Sequence, residues 1–222
     1  MIFPNKQQKV DSKTCGPYCL LNIYSHFGIK TSLKSILNDL NISEVEPTYV
    51  SQLARHALKS GIRTSLILSN TFVISHDWKD KSKTEVIESL KEWIVRNSES
   101  EWIRDALFTL YYLQEGGELV IANITTQVID TLLQQNNVLI VCIEESWLWG
   151  KRKLKGAVEY DAVKGMTAGH CIVVYGQKGN KYLISDPYPT QISGRDGLYS
   201  IDKDTLVVST LIWSKHLLAI KK

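Results

Sequence analysis

Cys15 stands in the run Asp11-Ser12-Lys13-Thr14-Cys15-Gly16-Pro17, directly ahead of an apolar, helix-like stretch. A cysteine attacks carbon only as its thiolate, and a helix N-terminus or a neighbouring imidazolium lowers its pKa. Pro17 suits a first helical turn, where a missing N–H costs nothing. Gly16 carries no side chain to block a substrate backbone approaching the sulfur.

Two partners for such a thiol lie far downstream. Gly169-His170-Cys171-Ile172-Val173-Val174-Tyr175-Gly176 places an imidazole at the start of a strand-like run, and Asp186-Pro187 closes the next one. Between them, 176–180 is turn-rich and reads as a hairpin connection. Position 178 is midway between His170 and Asp186. A regular hairpin would set the two directly opposite, with Cβ atoms about 4.5–5.5 Å apart. A carboxylate at that distance fixes the imidazole tautomer, and Pro187 restrains Asp186 to extended backbone. Acyl chemistry also needs oxyanion donors. The Cys15 backbone N–H is one candidate, and the side-chain amide of Gln7 or Gln8 is another.

The elements that must carry these residues follow from apolar spacing. Leu20, Ile23, Tyr24 and Phe27 mark a helix over 17–27 that stops at Gly28. Further short helices are expected over 31–40, 48–58 and 125–135. The stretch 84–113 reads as two amphipathic helices broken at 97–100. Strands are expected at 64–68, 138–143, 170–175, 181–186, 211–213 and 217–220, with loops over 69–83 and 144–168. Helices come first and strands late, which indicates an α+β fold with an antiparallel sheet. At 222 residues the chain fits one domain spanning 1–222, with 84–113 as a candidate helical insertion.

Composition narrows the function classes. With 44% hydrophobic and 22% charged residues, the chain is of ordinary soluble type. The formal net charge of +3 gives no reason to expect a nucleic-acid partner. The four cysteines are scattered, unlike a secreted disulfide scaffold. No apolar run is long enough for a membrane span, and the N-terminal residues lack a signal h-region, so the expected location is the cytoplasm. Cys19, Cys142 and Cys171 read as small buried thiols. No metal site is expected: Cys15, Cys19 and His26 lack a second half with zinc spacing, and His170 and Cys171 point to opposite faces of a strand. No cofactor is implied.

Taken together, Gln8, the run from Asp11 to Leu20, the run from Gly169 to Gly176, and Ile184-Ser185-Asp186-Pro187 resemble the peptidase C39-like group of papain-fold cysteine peptidases. The segments 50–68 and 124–143 are similar to helix-then-strand passages of that group. The match covers most of the chain by order of elements and is residue-specific only in the three motifs. The resemblance implies an N-terminal helical part packed on a C-terminal antiparallel sheet. It implies Cys15 as nucleophile, His170 as general base, Asp186 as orienting carboxylate and Gln8 as oxyanion donor. In two respects the sequence departs from the group: its amide more often lies six residues before the cysteine, where Lys9 stands here, and the helical region 84–113 is larger than a minimal domain of this kind requires.

The expected activity is hydrolysis of a peptide or isopeptide bond in a peptide or protein substrate. The same residues would serve an acyltransferase or transglutaminase-like enzyme, in which an amine or thiol replaces water. A non-catalytic peptide-binding module of the same fold is the third reading, disfavoured because every residue the chemistry needs is present. A transporter or ligase partner, if one acts with this chain, would be a separate polypeptide. Gly16, Gly169, Trp147 and Trp149 are candidate substrate contacts, the tryptophans with the basic run Lys151 to Lys155 forming a loop expected to rim the cleft.

Overall fold

The structure, a computed structural model, describes residues 2–10, 12–69, 72–154 and 158–222. Asp11 and Lys155, which belong to the motifs above, lie outside the described residues. A seven-stranded sheet runs in the order β2-β1-β7-β3-β4-β5-β6. Its strands are β1 (Arg63–Leu68), β2 (Glu118–Ile121), β3 (Val138–Glu144), β4 (Gly169–Lys178), β5 (Lys181–Ser185), β6 (Leu198–Asp202) and β7 (His216–Lys221). Neighbours pair antiparallel except β1 with β2, which are parallel and joined through a helical crossover.

One face of the sheet carries α1 (Cys15–His26), α2 (Leu33–Leu40), α3 (Val50–Lys59), α4 (Lys83–Arg96) and α5 (Ile103–Gln114). The other carries α6 (Thr126–Gln134), α7 (Glu145–Trp149) and α8 (Lys203–Ile212). Strand residues alternate between the two cores. Ile140, Cys142, Cys171 and Val173 face α1, whereas Val141, Ile143, Ile172 and Val174 face α7 and α8. This double cover explains why β3 is an unbroken apolar run, buried at every position.

Local chemistry sets the helix starts. Ser32 caps α2, Thr125 caps α6, and Ser82 with Glu85 forms a reciprocal capping box on α4. The buried residues of α4 and α5, among them Leu90, Ala106 and Leu113, share one core with α1 and α3 rather than forming a separate unit.

The expected helices and the strands at 64–68, 138–143, 170–175, 181–186 and 217–220 all appear, with boundaries shifted by a few residues. Four expectations are corrected. Residues 69–83 contain a short 3-10 helix, His76–Asp80, and 144–168 opens with α7. β2 and β6 were not foreseen. Both are short edge strands, and β2 alternates exposed and half-buried positions. Leu211 to Trp213 is no strand: α8 runs through Ile212 and Trp213 caps it. Thr205, Val207, Val208, Thr210 and Ile212 favour strand by their branching, but burial of Leu206, Ser209 and Thr210 on one side overrides that preference.

The β4–β5 hairpin differs from the regular one. Lys178 faces Lys181 across a two-residue connection in which Gly179 takes φ 58°. From there to Gly176 and Leu183, opposed residues are one odd, one even. Tyr175 is then an extra residue, and beyond it Val174 faces Ile184 and Val173 faces Ser185. The bulge therefore shifts the register by one, and a one-residue shift exchanges the faces of every following side chain. Without it His170 and Asp186 would lie on opposite faces; with it they share the α7 face as diagonal neighbours.

Candidate active site

Cys15 is the first residue of α1, so its backbone N–H, like those of the rest of the first turn, has no intrahelical acceptor. Thr14 precedes it without a capping side-chain bond. The Cys15 thiol borders one cavity with His170 and Cys171, and both side chains bear on its titration. The imidazole of His170, 4% exposed, presents Nε2 to Asp186 Oδ1 at 2.7 Å. An ionised carboxylate only accepts, so the proton sits on Nε2 and Nδ1 is left for the sulfur. The His170–Asp186 pair thus stands in the wall of the cavity that Cys15 lines.

Asp186 is fully buried and its carboxylate accepts from four donors. Besides His170, Oδ1 takes the Tyr188 backbone N–H at 2.9 Å, and Oδ2 takes the Trp149 indole Nε1–H at 3.0 Å and the Tyr199 hydroxyl at 2.8 Å. Burial, Asp186 and its hydrogen bond push the Tyr199 phenol up, so it remains a donor. Around the imidazole, Trp149 and Tyr188 pack with ring centroids 5.4 Å and 6.1 Å away. Burial opposes charge on His170, but the charge and hydrogen bond of Asp186, with the Cys15 contact, outweigh it and raise the imidazole to about 10. Cys15 is pulled both ways. The influence of Cys171 and its burial prevail and hold the thiol well above its ordinary range, against a smaller downward pull from His170.

The N-terminal segment is laced to the carboxylate's strand. Asn5 Nδ2 donates to Ser185 Oγ and to the Asp186 carbonyl, Ser185 Oγ donates to the Pro4 carbonyl, and the Gln8 N–H donates to the Pro187 carbonyl. This lacing turns Gln8 inward beside Cys15 and Gln7 outward to Asp196. Gln8 Nε2 donates to the Ser12 carbonyl at 2.8 Å and to Ser12 Oγ at 3.5 Å, while its Oε1 is buried with no partner among the described residues.

A cavity of about 350 Å³ opens over the sulfur, lined by Gln8, Thr48, Glu145, Lys153, Gly169 and Trp213 among others. Gly169 has the Trp213 indole directly on it, so that any Cβ there would collide with the ring. At Gly16 a Cβ would strike Thr48 and come within 2.8 Å of Leu53, so glycine lets α1 close on α3. Trp149 is buried, 4% exposed, beneath the site and not on its rim, because Glu144 caps α7 by accepting from the Ser146 and Trp147 N–H groups and turns the helix inward. Trp147, 53% exposed, instead lines a separate cavity with Lys151 and Arg152. Lys153 does reach the cleft: its Nζ lies 3.4 Å from Glu145 Oε2 and 4.0 Å from the Tyr188 ring centroid. Burial pushes the Glu145 carboxyl up against the pull of Lys153.

Sequence reasoning missed Trp213, Glu145, Tyr188 and Tyr199. A signal existed only for Tyr188, whose N–H closes the Asx-type turn that Asp186-Pro187-Tyr188 favours. Cys142 and Cys171, expected as buried strand thiols, are directly opposed on β3 and β4 with sulfurs 2.6 Å apart, and all four cysteines are free. Among the described residues no group of three or more His, Cys, Asp or Glu side chains could hold a metal ion. No helix among them is long and apolar enough to cross a membrane.

No protein-family model matches the chain, and no curated protein is similar to it in sequence. Solved structures are similar in fold. A C39-like peptidase from Bacillus anthracis aligns over 99% of this chain and 94% of its own with TM-score 0.50 and 11% identity. The peptidase domain of Streptococcus ComA, a bi-functional ABC transporter involved in quorum sensing, aligns over 99% and 98% with TM-score 0.49 and 15% identity. The chain has the α+β fold of papain-like C39 peptidase structures. At such identities the likeness is one of fold.

Proposed function

We propose that the protein is a cysteine peptidase that hydrolyses a peptide or isopeptide bond in a peptide or protein substrate. The observation that carries this reading is the pairing of His170 with the buried Asp186 beside Cys15 in the wall of one open cavity. Asp186 makes the imidazole a stronger base, which is what draws the proton from sulfur to Nδ1. The thiolate attacks the substrate carbonyl, and the oxyanion forms beside the Cys15 N–H and the Gln8 amide, whose long bond to Ser12 Oγ is the one it would give up. His170 then protonates the leaving amine, and water, activated by the same imidazole, releases the acyl group. Gly169 and Trp213 flank the approach to the sulfur and would hold the substrate backbone. Four free thiols fit a reducing compartment, which we take to be the cytoplasm.

The test pairs thiol labelling with turnover. Limiting iodoacetamide should modify Cys15 ahead of the three buried cysteines. Cys15→Ala should lose cleavage of a peptide library while keeping its melting temperature. Even labelling of all four thiols, or cleavage that survives the substitution, would overturn the assignment.

A further inference from the structure

The nucleophile is the end of a line of three sulfurs. Cys15 lines one cavity with Cys171, and Cys171 faces Cys142 across the β3–β4 pair with sulfurs 2.6 Å apart. Opposed strand residues have Cα atoms about 4.5–5.5 Å apart, inside the span a disulfide needs. Both side chains point to the α1 face, and all three residues border the same cavity, so a small solute that reaches Cys15 reaches the head of this line. Neither Cys142 nor Cys171 has a part in the hydrolysis above. Cys19 is differently placed: its thiol donates to the Cys171 carbonyl at 3.3 Å rather than to a sulfur.

We propose that Cys171 and Cys142 form a resolving dithiol that returns a peroxide-oxidised Cys15 to its reduced state. This rests on the reading of Cys15 as an activated nucleophile. The oxidant is a hydroperoxide. The Cys15 thiolate attacks its outer oxygen, the O–O bond breaks, and the alkoxide leaves and takes a proton, giving Cys15 sulfenic acid. Cys171 then attacks the Cys15 sulfur; its thiol proton and the hydroxyl of Cys15 leave together as water, forming a Cys15–Cys171 disulfide. Cys142 attacks the Cys171 sulfur and Cys15 departs, its thiolate favoured as a leaving group by the adjacent His170. The proton from Cys142 is taken up by the Cys15–His170 pair. In sum, one hydroperoxide and two thiols give an alcohol, water and the Cys142–Cys171 disulfide, which a cellular dithiol reduces. Transient disulfides of this kind are the form expected in a reducing compartment. Hydrogen bonding to Cys142 and burial hold Cys171 as a thiol at rest, so it attacks only once Cys15 carries a leaving group.

The experiment treats the reduced full chain with one equivalent of hydrogen peroxide at neutral pH, blocks with N-ethylmaleimide and maps peptides by mass spectrometry without reduction. The expected wild-type product is a Cys142–Cys171 linked pair, with Cys15 carrying the maleimide. Cys142→Ala should stop at Cys15–Cys171, with Cys15 labelling lost until dithiothreitol restores it. Cys171→Ala, given a second equivalent of peroxide, should carry Cys15 from sulfenic to sulfinic acid, which dithiothreitol does not reverse. The wild-type map decides alone if either variant fails to fold. Sulfinic acid at Cys15 of the wild type, a bond to Cys19, or a Cys142–Cys171 bond forming as fast in Cys15→Ala would overturn the proposal. Failure of the underlying reading looks different: Cys15 of the untreated protein would then resist alkylation.

Discussion

Asp186 accepts four hydrogen bonds while only one, to His170, lies on the path to Cys15. The other three hold the carboxylate still and compensate its removal from water. Asn at this position would keep the volume but put an NH2 in place of one oxygen, so that either Trp149 and Tyr199 or His170 and the Tyr188 N–H would meet a donor. It would also remove the charge that raises the imidazole. Asp186→Asn should therefore lower turnover by about 10²–10⁴-fold. Without a stable imidazolium, thiolate formation at Cys15 moves to higher pH, so iodoacetamide labelling at neutral pH should fall. Labelling that keeps the wild-type pH profile would remove Asp186 from this role. Much of this was legible, because Cys15, His170 and Asp186 each carry local marks: Pro17 in the first turn, an apolar strand after the imidazole, and Pro187. Trp149 and Tyr199 carry none. They reach the carboxylate from α7 and β6, and only folding makes them neighbours.

At the scale of elements, the position of Cys15 depends on how closely α1 approaches α3, and Gly16 sets that distance. Gly16→Ala inserts a methyl against Thr48 and Leu53, a strain of about 1–3 kcal/mol. Since the adjacent residue is the nucleophile, the same substitution should slow Cys15 labelling as well as reduce stability in urea. A variant with wild-type stability would mean that α1 has room to spare. Long periodic helices and fully apolar strands were readable because each carries its own pattern. β2, β6 and α8 were not. The two edge strands are short, and α8 contradicts its own propensities to cover the outer core.

For the whole molecule, the sheet buries ionisable groups from both sides, and their titration should shape its stability. His170 is raised from 6.5 to about 10, so above pH 6.5 the folded chain keeps a proton that the unfolded chain releases. Its stabilisation is complete below 6.5 and is lost progressively as pH rises toward 10. The buried thiols Cys19 and Cys171, both raised, add the same sign above about 8.5. His56 and His216 are pushed down from 6.5, chiefly by burial, so they take stability away as pH falls below that value. The melting temperature should thus peak near pH 6.5, with an alkaline decline that is shallower in Asp186→Asn. A wild-type melting temperature still climbing between neutrality and pH 9 would contradict this account.

The extra residue at Tyr175 has a consequence for chain comparison. His170 and Asp186 are 16 positions apart, an even number, and a hairpin closed by two residues brings only odd separations onto one side. A chain that built the same hairpin without an inserted residue would need 15 or 17 positions, since one step either way restores the pairing. Even spacing fits a regular ribbon only if the connection has an odd number of residues; with the two-residue connection seen here it requires an irregular one. It also follows that deleting Tyr175 preserves the alliance of imidazole and carboxylate, whereas adding a single residue to the ribbon breaks it unless a second irregularity absorbs the surplus.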